Sequence, residues 1–216
     1  MYTILSVLLM SSSFANPPTP TEPSTMTFDS RIETIPTDLR EKMTGVTWHE
    51  GCPVALDDLS LLTLSYWDEN STRQTGQLIV HSTQSQAITR VFEVLYTNHF
   101  PLTSMKLMWE FNGSDDASMK ANNTSGFNCR RVKNTDKWSN HSYGKAIDVN
   151  PLWNPWVRGT IVDPPEGKPY VDRTITKAGV VKAGDIVVTA FAKEGWKWGG
   201  YWSKTKDYQH FSANGR

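Results

Sequence analysis

The stretch of sequence that most restricts the fold is SNHSYGKAID, residues 139–148. It runs into KAIDVN, residues 145–150, whose alternating side chains predict a β-strand. Ile147 and Val149 would face one side of this strand and anchor it in a core, while Asp148 would face the other side. The fold must therefore bury one face of the strand and leave a carboxylate pointing into a cleft.

His141 lies seven residues before Asp148 and makes this segment a candidate for half of a metal site. The small residues Gly144 and Ala146 leave space beside these two side chains for a metal ion and a substrate. A surface loop that happens to contain a histidine and an aspartate is the alternative. The metal interpretation requires further ligands from elsewhere in the chain.

The chain has five histidines, and one other besides His141 has a suitable neighbour. His49 and His81 lie in apolar, strand-like contexts without nearby carboxylates, and His99 lies at the end of a predicted helix. We expect structural roles for these three. His210 is different because it lies in DYQHF, three residues after Asp207.

His141, Asp148 and His210 supply two imidazoles and one carboxylate, a recurrent ligand set for a catalytic zinc ion that keeps one position open for water. Hydrolysis at such a site needs a base that takes a proton from water and returns it to the leaving amine. Asp207 suits that role because a carboxylate three residues from a ligand can lie beside the metal without binding it. A surface aspartate paired with a neighbouring lysine is the alternative.

Composition restricts the class of protein. The chain has 216 residues, of which 38% are apolar and 9 are tryptophan, as in a single globular domain. Its 22 basic residues balance 22 acidic ones, so no overall field attracts nucleic acid or an anionic membrane. No apolar run of the sequence reaches the roughly 18 residues of a membrane-spanning helix. We therefore expect neither a nucleic-acid partner nor a membrane span.

The N-terminal sequence predicts export. Residues 1–15, MYTILSVLLMSSSFA, have the apolar core and small-x-small cleavage site of a signal peptide, although no Lys or Arg precedes the core. A disordered N-terminus is the alternative. Residues 16–45 begin with NPPTPTEPSTMT and are predicted to be a Pro/Thr-rich linker. We therefore expect a secreted or periplasmic protein whose folded domain spans residues 46–216.

Cys52 and Cys129 are the only cysteines in the sequence. In an oxidising compartment they would form one disulfide that closes a loop of 77 residues. Two buried free thiols are the alternative. Two cysteines alone cannot build a zinc site, so they are poor metal ligands here.

The order of predicted elements indicates a single α+β domain, because strands and helices are mixed without a βαβ rhythm. Strands are predicted at residues 61–67, 76–81, 105–111 and 145–150, and in WGGYW and DYQHF near the C-terminus. Helices are predicted at residues 87–98, 117–121 and 185–195. Residues 151–178 form a Pro- and Gly-rich excursion that is too long for a simple connection.

The two-part motif Ser139-x-His141-x-x-Gly144-x-Ala146-x-Asp148 and Asp207-x-x-His210 resembles that of the zinc D-alanyl-D-alanine carboxypeptidases, peptidase family M15. That family is related to the lysostaphin and hedgehog-type zinc folds. Four further segments resemble a branch with carboxypeptidase-like and L-alanyl-D-glutamate peptidase-like members: GCPVALDDLSLLTLSYW (51–67), DDASMKANNTSGFNCRRV (115–132), AIDVNPLWNP (146–155) and GWKWGGYW (195–202). The resemblance covers about residues 48–212.

The resemblance implies a domain in which a small antiparallel sheet carries the zinc site and helices flank it. It implies one zinc ion held by His141, Asp148 and His210, with Asp207 as the general base. Many relatives have glutamate at the base position. Aspartate is one methylene shorter, so its approach to the water must differ slightly.

The resemblance also implies an arginine, upstream of the first ligand, that polarises the scissile carbonyl. Arg130 in FNCRRV matches this position. A planar guanidinium that is always charged donates two hydrogen bonds in a fixed geometry to a developing oxyanion. If Cys129 is disulfide-bonded, the bridge would help to hold Arg130. Ser139 would orient a ligand or contact substrate, or would make only a local turn hydrogen bond.

Together these features predict a zinc metallopeptidase, either a carboxypeptidase or an endopeptidase, that acts on peptidoglycan stem peptides. Two alternatives remain: a zinc-retaining module that binds cell wall or peptide without catalysis, and a peptidase with another substrate. In a carboxypeptidase, Lys168 or Arg173 of the excursion would receive the terminal carboxylate; otherwise both would face solvent.

Overall fold

The computed structural model of the protein describes residues 27–133 and 135–215. Within these ranges the strands are β1 (Ser30–Thr34), β2 (Leu59–Trp67), β3 (Arg73–His81), β4 (Ala146–Asp148), β5 (Trp156–Arg158), β6 (Ile161–Asp163), β7 (Lys197–Trp198), β8 (Lys206–Asp207) and β9 (His210–Ser212). The α-helices are α1 (Thr37–Met43), α2 (Ser85–Thr97), α3 (Asp115–Lys120) and α4 (Ile186–Lys193). The strands form three small antiparallel sheets, which confirms the predicted α+β class.

The first sheet has the strand order β1–β2–β3 and is built on the predicted hairpin. β2 and β3 pair from Leu59 opposite His81 to Trp67 opposite Arg73. Alternate side chains of both strands enter the main core: Leu62, Leu64, Leu78 and Val80. This sheet provides the surface on which the helices and the second sheet pack.

The prediction of a linker over residues 16–45 is wrong for its second half. Residues 30–34 form β1, which pairs with β2, and residues 37–43 form α1. Leu39 and Met43 of α1 are buried in a second apolar cluster beside the first sheet. The Pro/Thr-rich start of the segment hid the apolar spacing that follows it. The predicted signal peptide and residues 16–26 lie outside the described residues.

The three predicted helices are confirmed. α2 and α4 have buried apolar faces, and α2 packs on β2 and on α4. The carboxylate of Asp185 accepts a hydrogen bond of 3.0 Å from the amide N–H of Val188, which caps the start of α4. Gly195, at φ +80°, follows the end of α4 in the left-handed conformation that glycine tolerates.

The predicted strand at residues 105–111 is wrong. Residues 108–111 form a 3₁₀ turn. The side chain of Glu110 accepts a hydrogen bond of 3.1 Å from the amide N–H of Leu107, which favours the turn over an extended strand. Met105 still lies along β3, because its carbonyl oxygen accepts a hydrogen bond of 2.9 Å from the amide N–H of Gln77.

The second and third sheets, with orders β4–β9–β7 and β6–β5–β8, are formed by the C-terminal half of the chain. WGGYW is a strand only in its first residue, since residues 199–201 form a 3₁₀ turn. DYQHF is divided between the two sheets. Residue 207 ends β8 and residue 210 begins β9.

Candidate metal centre

Strand pairing brings Asp148 and His210 together. β4 pairs with β9 so that these two residues lie directly opposite each other. The Nδ1 of His210 lies 3.0 Å from Oδ1 of Asp148. The next pair in the register, Ile147 and Phe211, is fully buried, and Phe211 stacks on Phe191 of α4 at 4.1 Å between ring centroids. The core therefore fixes the positions of these two polar side chains.

His141 reaches the same point from a 3₁₀ turn over residues 140–143. The hydroxyl of Ser139 accepts a hydrogen bond of 3.3 Å from the amide N–H of His141 and caps this turn. Gly144 ends the turn at φ +62°, and a Cβ there would lie 2.4 Å from the amide nitrogen of His81. The local role expected for Ser139 is thus present, and it places His141.

A backbone carbonyl fixes the tautomer of His141. The Nδ1–H of the ring donates a hydrogen bond of 2.7 Å to the carbonyl oxygen of Gly126. Nε2 is therefore the nitrogen that faces Asp148, 3.1 Å from its Oδ2, and it is the nitrogen that a neutral ring would offer to a metal. Gly126 packs against β3 so closely that a Cβ there would be 2.4 Å from the carbonyl oxygen of Ile79. A hydrogen bond to the far ring nitrogen is the arrangement expected of a metal-binding histidine.

The donor atoms of His141, Asp148 and His210 all lie within 4.8 Å of one another. The two imidazoles are 4% and 7% exposed, so the cluster is largely shielded from water. Two imidazole nitrogens and a carboxylate converging in this way fit the ligand set of a catalytic zinc ion. The sequence-predicted ligands are therefore brought together by three separate elements.

A second group, His49 with Cys52 and Cys129, also clusters. The two sulfur atoms are joined in a disulfide, which confirms the predicted bridge. Disulfide sulfurs are not thiolates, and thiolates are the form of cysteine that binds metals. This group therefore has one imidazole and no thiolate ligand in the oxidised protein.

The ionisation of Asp148 is set by its two imidazole neighbours. Burial by itself would raise the pKa of this carboxyl. The charges and hydrogen bonds of His141 and His210 outweigh burial and hold the pKa of Asp148 well below its ordinary value. The carboxylate form of Asp148, which is the form that could bind a metal, is therefore favoured.

Asp207, the predicted base, lies at the edge of this cluster. Its Oδ1 is buried, and among the described residues it has no hydrogen-bond partner. Burial raises the pKa of Asp207 to about 7, against the opposing charges of His210, His141 and Arg130, and Asp148 adds to the rise. The alternative of a surface aspartate paired with a lysine is not what the structure contains, since no ion pair of Asp207 occurs among the described residues.

The 151–178 excursion supports the strand that carries Asp207. β5 pairs with β6 on one side and with β8 on the other, and Trp156 lies opposite both Asp163 and Asp207. Directly opposed residues of antiparallel strands point to the same face of a sheet. Asp163, Trp156 and Asp207 therefore form a row across one face of the third sheet.

Of the two residues of the excursion that could receive a terminal carboxylate, Arg173 is held by internal hydrogen bonds and Lys168 faces solvent. The guanidinium of Arg173 is half-buried and donates to the carbonyl oxygens of Trp153, Tyr170 and Val181 at 2.6 to 2.8 Å. It therefore braces the excursion and is not available for a substrate carboxylate. Lys168 is exposed.

Arg130 is attached to the turn that carries His141. Its amide N–H donates a hydrogen bond of 2.9 Å to Oγ of Ser142, and its carbonyl oxygen accepts one of 3.1 Å from the amide N–H of Ser139. Its side chain forms an ion pair with Asp115. The positive charge of Arg130 acts to lower the pKa of Asp207, as expected of neighbouring groups of opposite charge.

Sequence reasoning missed several residues that place the site: Asp115, Gly126, Ser142 and Gly199. The glycines could have been suspected, because a glycine outside an obvious turn often marks a close approach of two backbones. At Gly199 a Cβ would lie 2.7 Å from the carbonyl oxygen of Asp207. Ser142 and Asp115 carry no signal in the sequence, since their roles depend on contacts across the fold.

The buried His–Asp–His cluster with a second carboxylate beside it is the kind of site that binds one metal ion for hydrolysis. Residues 133–213 match the family model described as D-alanyl-D-alanine carboxypeptidase. The match supports assignment to the M15 peptidases. The matched residues include the clustered His141, Asp148 and His210 as well as Asp207, and they begin after Arg130. No curated protein and no solved structure matches the chain. Within the described residues, no helix is long and apolar enough to cross a membrane.

Proposed function

We propose that this protein is a zinc-dependent peptidase that hydrolyses peptidoglycan stem peptides, either removing a terminal D-alanine or cleaving between L-alanine and D-glutamate. The observation that carries the proposal is the convergence of His141, Asp148 and His210 next to Asp207, whose carboxylate forms no ion pair among the described residues. The family match over residues 133–213 supports peptide hydrolysis as the reaction. A module that only binds its ligand would not need a base beside its metal site.

Each side chain has a separate task in this proposal. Zinc, when bound, polarises the carbonyl and lowers the pKa of water toward about 7. The Asp207 carboxylate accepts a proton from the attacking water and delivers it to the nitrogen of the leaving amine. Its raised pKa, about 7 before a metal binds, suits a group that must both take and give a proton near neutral pH.

Arg130 is proposed to bind the carbonyl oxygen of the scissile bond. As the carbonyl carbon becomes tetrahedral, negative charge develops on that oxygen. A guanidinium already in place can donate hydrogen bonds to it without reorganisation, which lowers the energy of the transition state. Arg173 is excluded from substrate binding by its internal hydrogen bonds, so recognition of a terminal carboxylate must rest on other groups.

Export to the cell wall is part of the proposal. A disulfide is characteristic of oxidising compartments, and Cys52 and Cys129 form one. The substrate of a peptidoglycan peptidase also lies outside the cytoplasm. Residues 1–15 would provide the signal peptide.

The test is incubation of the purified protein with defined muropeptides, with and without a zinc chelator, followed by mass spectrometry of the products. Release of a terminal D-alanine that stops on chelation and returns with zinc supports a carboxypeptidase. Cleavage after L-alanine supports an endopeptidase. Stoichiometric zinc without any product would overturn the proposal in favour of a binding module, and Asp207→Ala serves as the zinc-loaded inactive control.

A further inference from the structure

We infer that Asp115 is a positioning residue for Arg130, an inference that rests on the proposed peptidase function. Asp115 is the first residue of α3, and its Oδ2 forms an ion pair with Nε of Arg130. The side chains are 26% and 33% exposed, respectively. Partial exclusion of water strengthens an ion pair and restricts both side chains to one geometry.

A buried amide fixes the carboxylate of Asp115. The Nδ2 of Asn128 donates hydrogen bonds of 2.9 Å to Oδ1 of Asp115 and 3.0 Å to the carbonyl oxygen of Gly113. Asn128 is buried, so these hydrogen bonds do not compete with bulk water. One oxygen of Asp115 is thus held by the amide and the other by the guanidinium, which sets the plane in which Arg130 can lie.

The ion pair with Asp115 uses Nε of Arg130 and leaves the two terminal nitrogens, Nη1 and Nη2, available for a ligand. Nη1 has a long contact of 3.4 Å with the carbonyl oxygen of Arg131. Nη2 has no hydrogen-bond partner among residues 27–133 and 135–215. A guanidinium held at Nε therefore keeps terminal N–H groups available for the carbonyl oxygen of a substrate.

The backbone at and before Arg130 is fixed as well. The hydroxyl of Ser142, in the turn that carries His141, donates hydrogen bonds to the carbonyl oxygens of Asn128 and Arg130. The backbone thus sets where the arginine side chain begins, and Asp115 sets where it ends. Without Asp115, a long flexible side chain would sample many rotamers, although the metal ligands would be unaffected.

The experiment compares Asp115→Asn with Asp116→Asn, a matched change of charge one residue further along α3. Asp116 is exposed, and among the described residues it forms no ion pair with Arg130. For Asp115→Asn we expect kcat for muropeptide hydrolysis to fall about 10-fold to 100-fold, with KM and zinc content near wild type. For Asp116→Asn we expect wild-type kinetics. In an Arg130→Ala background, Asp115→Asn should have no further effect.

A second measurement separates positioning from folding. Guanidinium ion, added well below denaturing concentrations, should partly restore activity to Arg130→Ala because Asp115 still provides its binding site. It should not restore Arg130→Ala/Asp115→Asn. Binding of a phosphinate analogue of the peptide, measured by calorimetry, should weaken in Asp115→Asn by about the same factor as kcat.

The outcomes are distinguishable. If wild type and Asp115→Asn cleave equally well while Arg130→Ala is impaired, the inference is overturned and the proposed function stands. Equal losses for Asp115→Asn and Asp116→Asn would also overturn it, because they would indicate a general effect of charge. A wild type that cleaves no peptide would overturn the proposed function and the inference with it.

Discussion

Asp148 and His210 are direct partners across β4 and β9, and their side chains meet at 3.0 Å although 62 residues separate them in sequence. Their strand neighbours Ile147 and Phe211 are fully buried in the main core. One face of this strand pair thus stabilises the fold, and the opposite face presents the polar cluster. A shift of either strand by one residue would move its polar side chain, Asp148 or His210, toward the core.

The first prediction concerns the metal ligands. Asp148→Ala and His210→Ala should each reduce bound zinc from about one ion per chain to near zero after dialysis, because a site with two ligands holds zinc weakly. Metal content measured by mass spectrometry provides the test. His49→Ala is the matched control and should keep its zinc, since His49 lies beside the disulfide. Full zinc content in Asp148→Ala would contradict the assignment of this ligand.

Local patterns predicted the elements that depend on nearby residues. The alternation in KAIDVN placed Asp148 on a strand with its neighbours buried, and the spacing of apolar residues placed α2 and α4. The two cysteines indicated the disulfide, because the number of possible pairings was one. Strands and helices could be inferred where the spacing of apolar residues in the sequence matches the period of a strand or of a helix.

Long-range relationships were not accessible in this way. β1 was missed because its pairing with β2 spans more than two dozen residues, and its side chains are only partly buried. The row of Asp163, Trp156 and Asp207 depends on the pairing of three short strands. Strands of two or three residues carry too little periodicity to be recognised, and their register is set by the core beneath them.

The second prediction concerns the pH dependence of stability in the metal-free protein. Burial raises the pKa of Asp207 to about 7, above its value in the unfolded chain. From about pH 4 to pH 7 the folded state therefore holds a proton that the unfolded state has released. The contribution of this group to stability is present at low pH and is lost as the pH rises through about 7.

Asp207→Asn removes this titration, so it should stabilise the metal-free protein more at pH 8 than at pH 5. We expect the difference to be about 1–2 kcal/mol, less than full linkage would give because the side chain is only partly buried. Urea unfolding in the presence of a chelator measures it. Asp148 is common to both proteins, so its own titration cancels to first order. An identical effect of the substitution at both pH values would mean that Asp207 is ionised throughout.

The third prediction concerns the bridge between Cys52 and Cys129, which closes a loop of 77 residues. Replacing both cysteines by serine should lower the free energy of unfolding by about 2–5 kcal/mol, because the unfolded chain gains conformational freedom. Cys129 precedes Arg130, so kcat should also fall under conditions in which the variant remains folded. Urea titration and muropeptide kinetics test the two effects separately. Full activity in the folded variant would show that the hydrogen bonds from Ser139 and Ser142 suffice to hold Arg130.

The last prediction concerns Gly199, which places β8. A Cβ at this position would lie 2.7 Å from the carbonyl oxygen of Asp207 and 2.8 Å from its Cβ. The first of these contacts is with backbone and cannot be relieved by rotating a side chain. In Gly199→Ala, β8 must therefore move away from the 3₁₀ turn and carry Asp207 with it.

Because the same Cβ would be 3.4 Å from the carbonyl oxygen of His210, an ordinary contact, the metal ligands should stay in place. We expect Gly199→Ala to bind one zinc ion and to lose about 100-fold in kcat, the effect of misplacing a reacting group by roughly 1 Å. Ser203→Ala, an exposed change just after the same turn, is the control and should behave as wild type. Zinc loss together with activity would instead indicate that the displacement passes along the chain to His210, and undiminished activity would argue against Asp207 as the base.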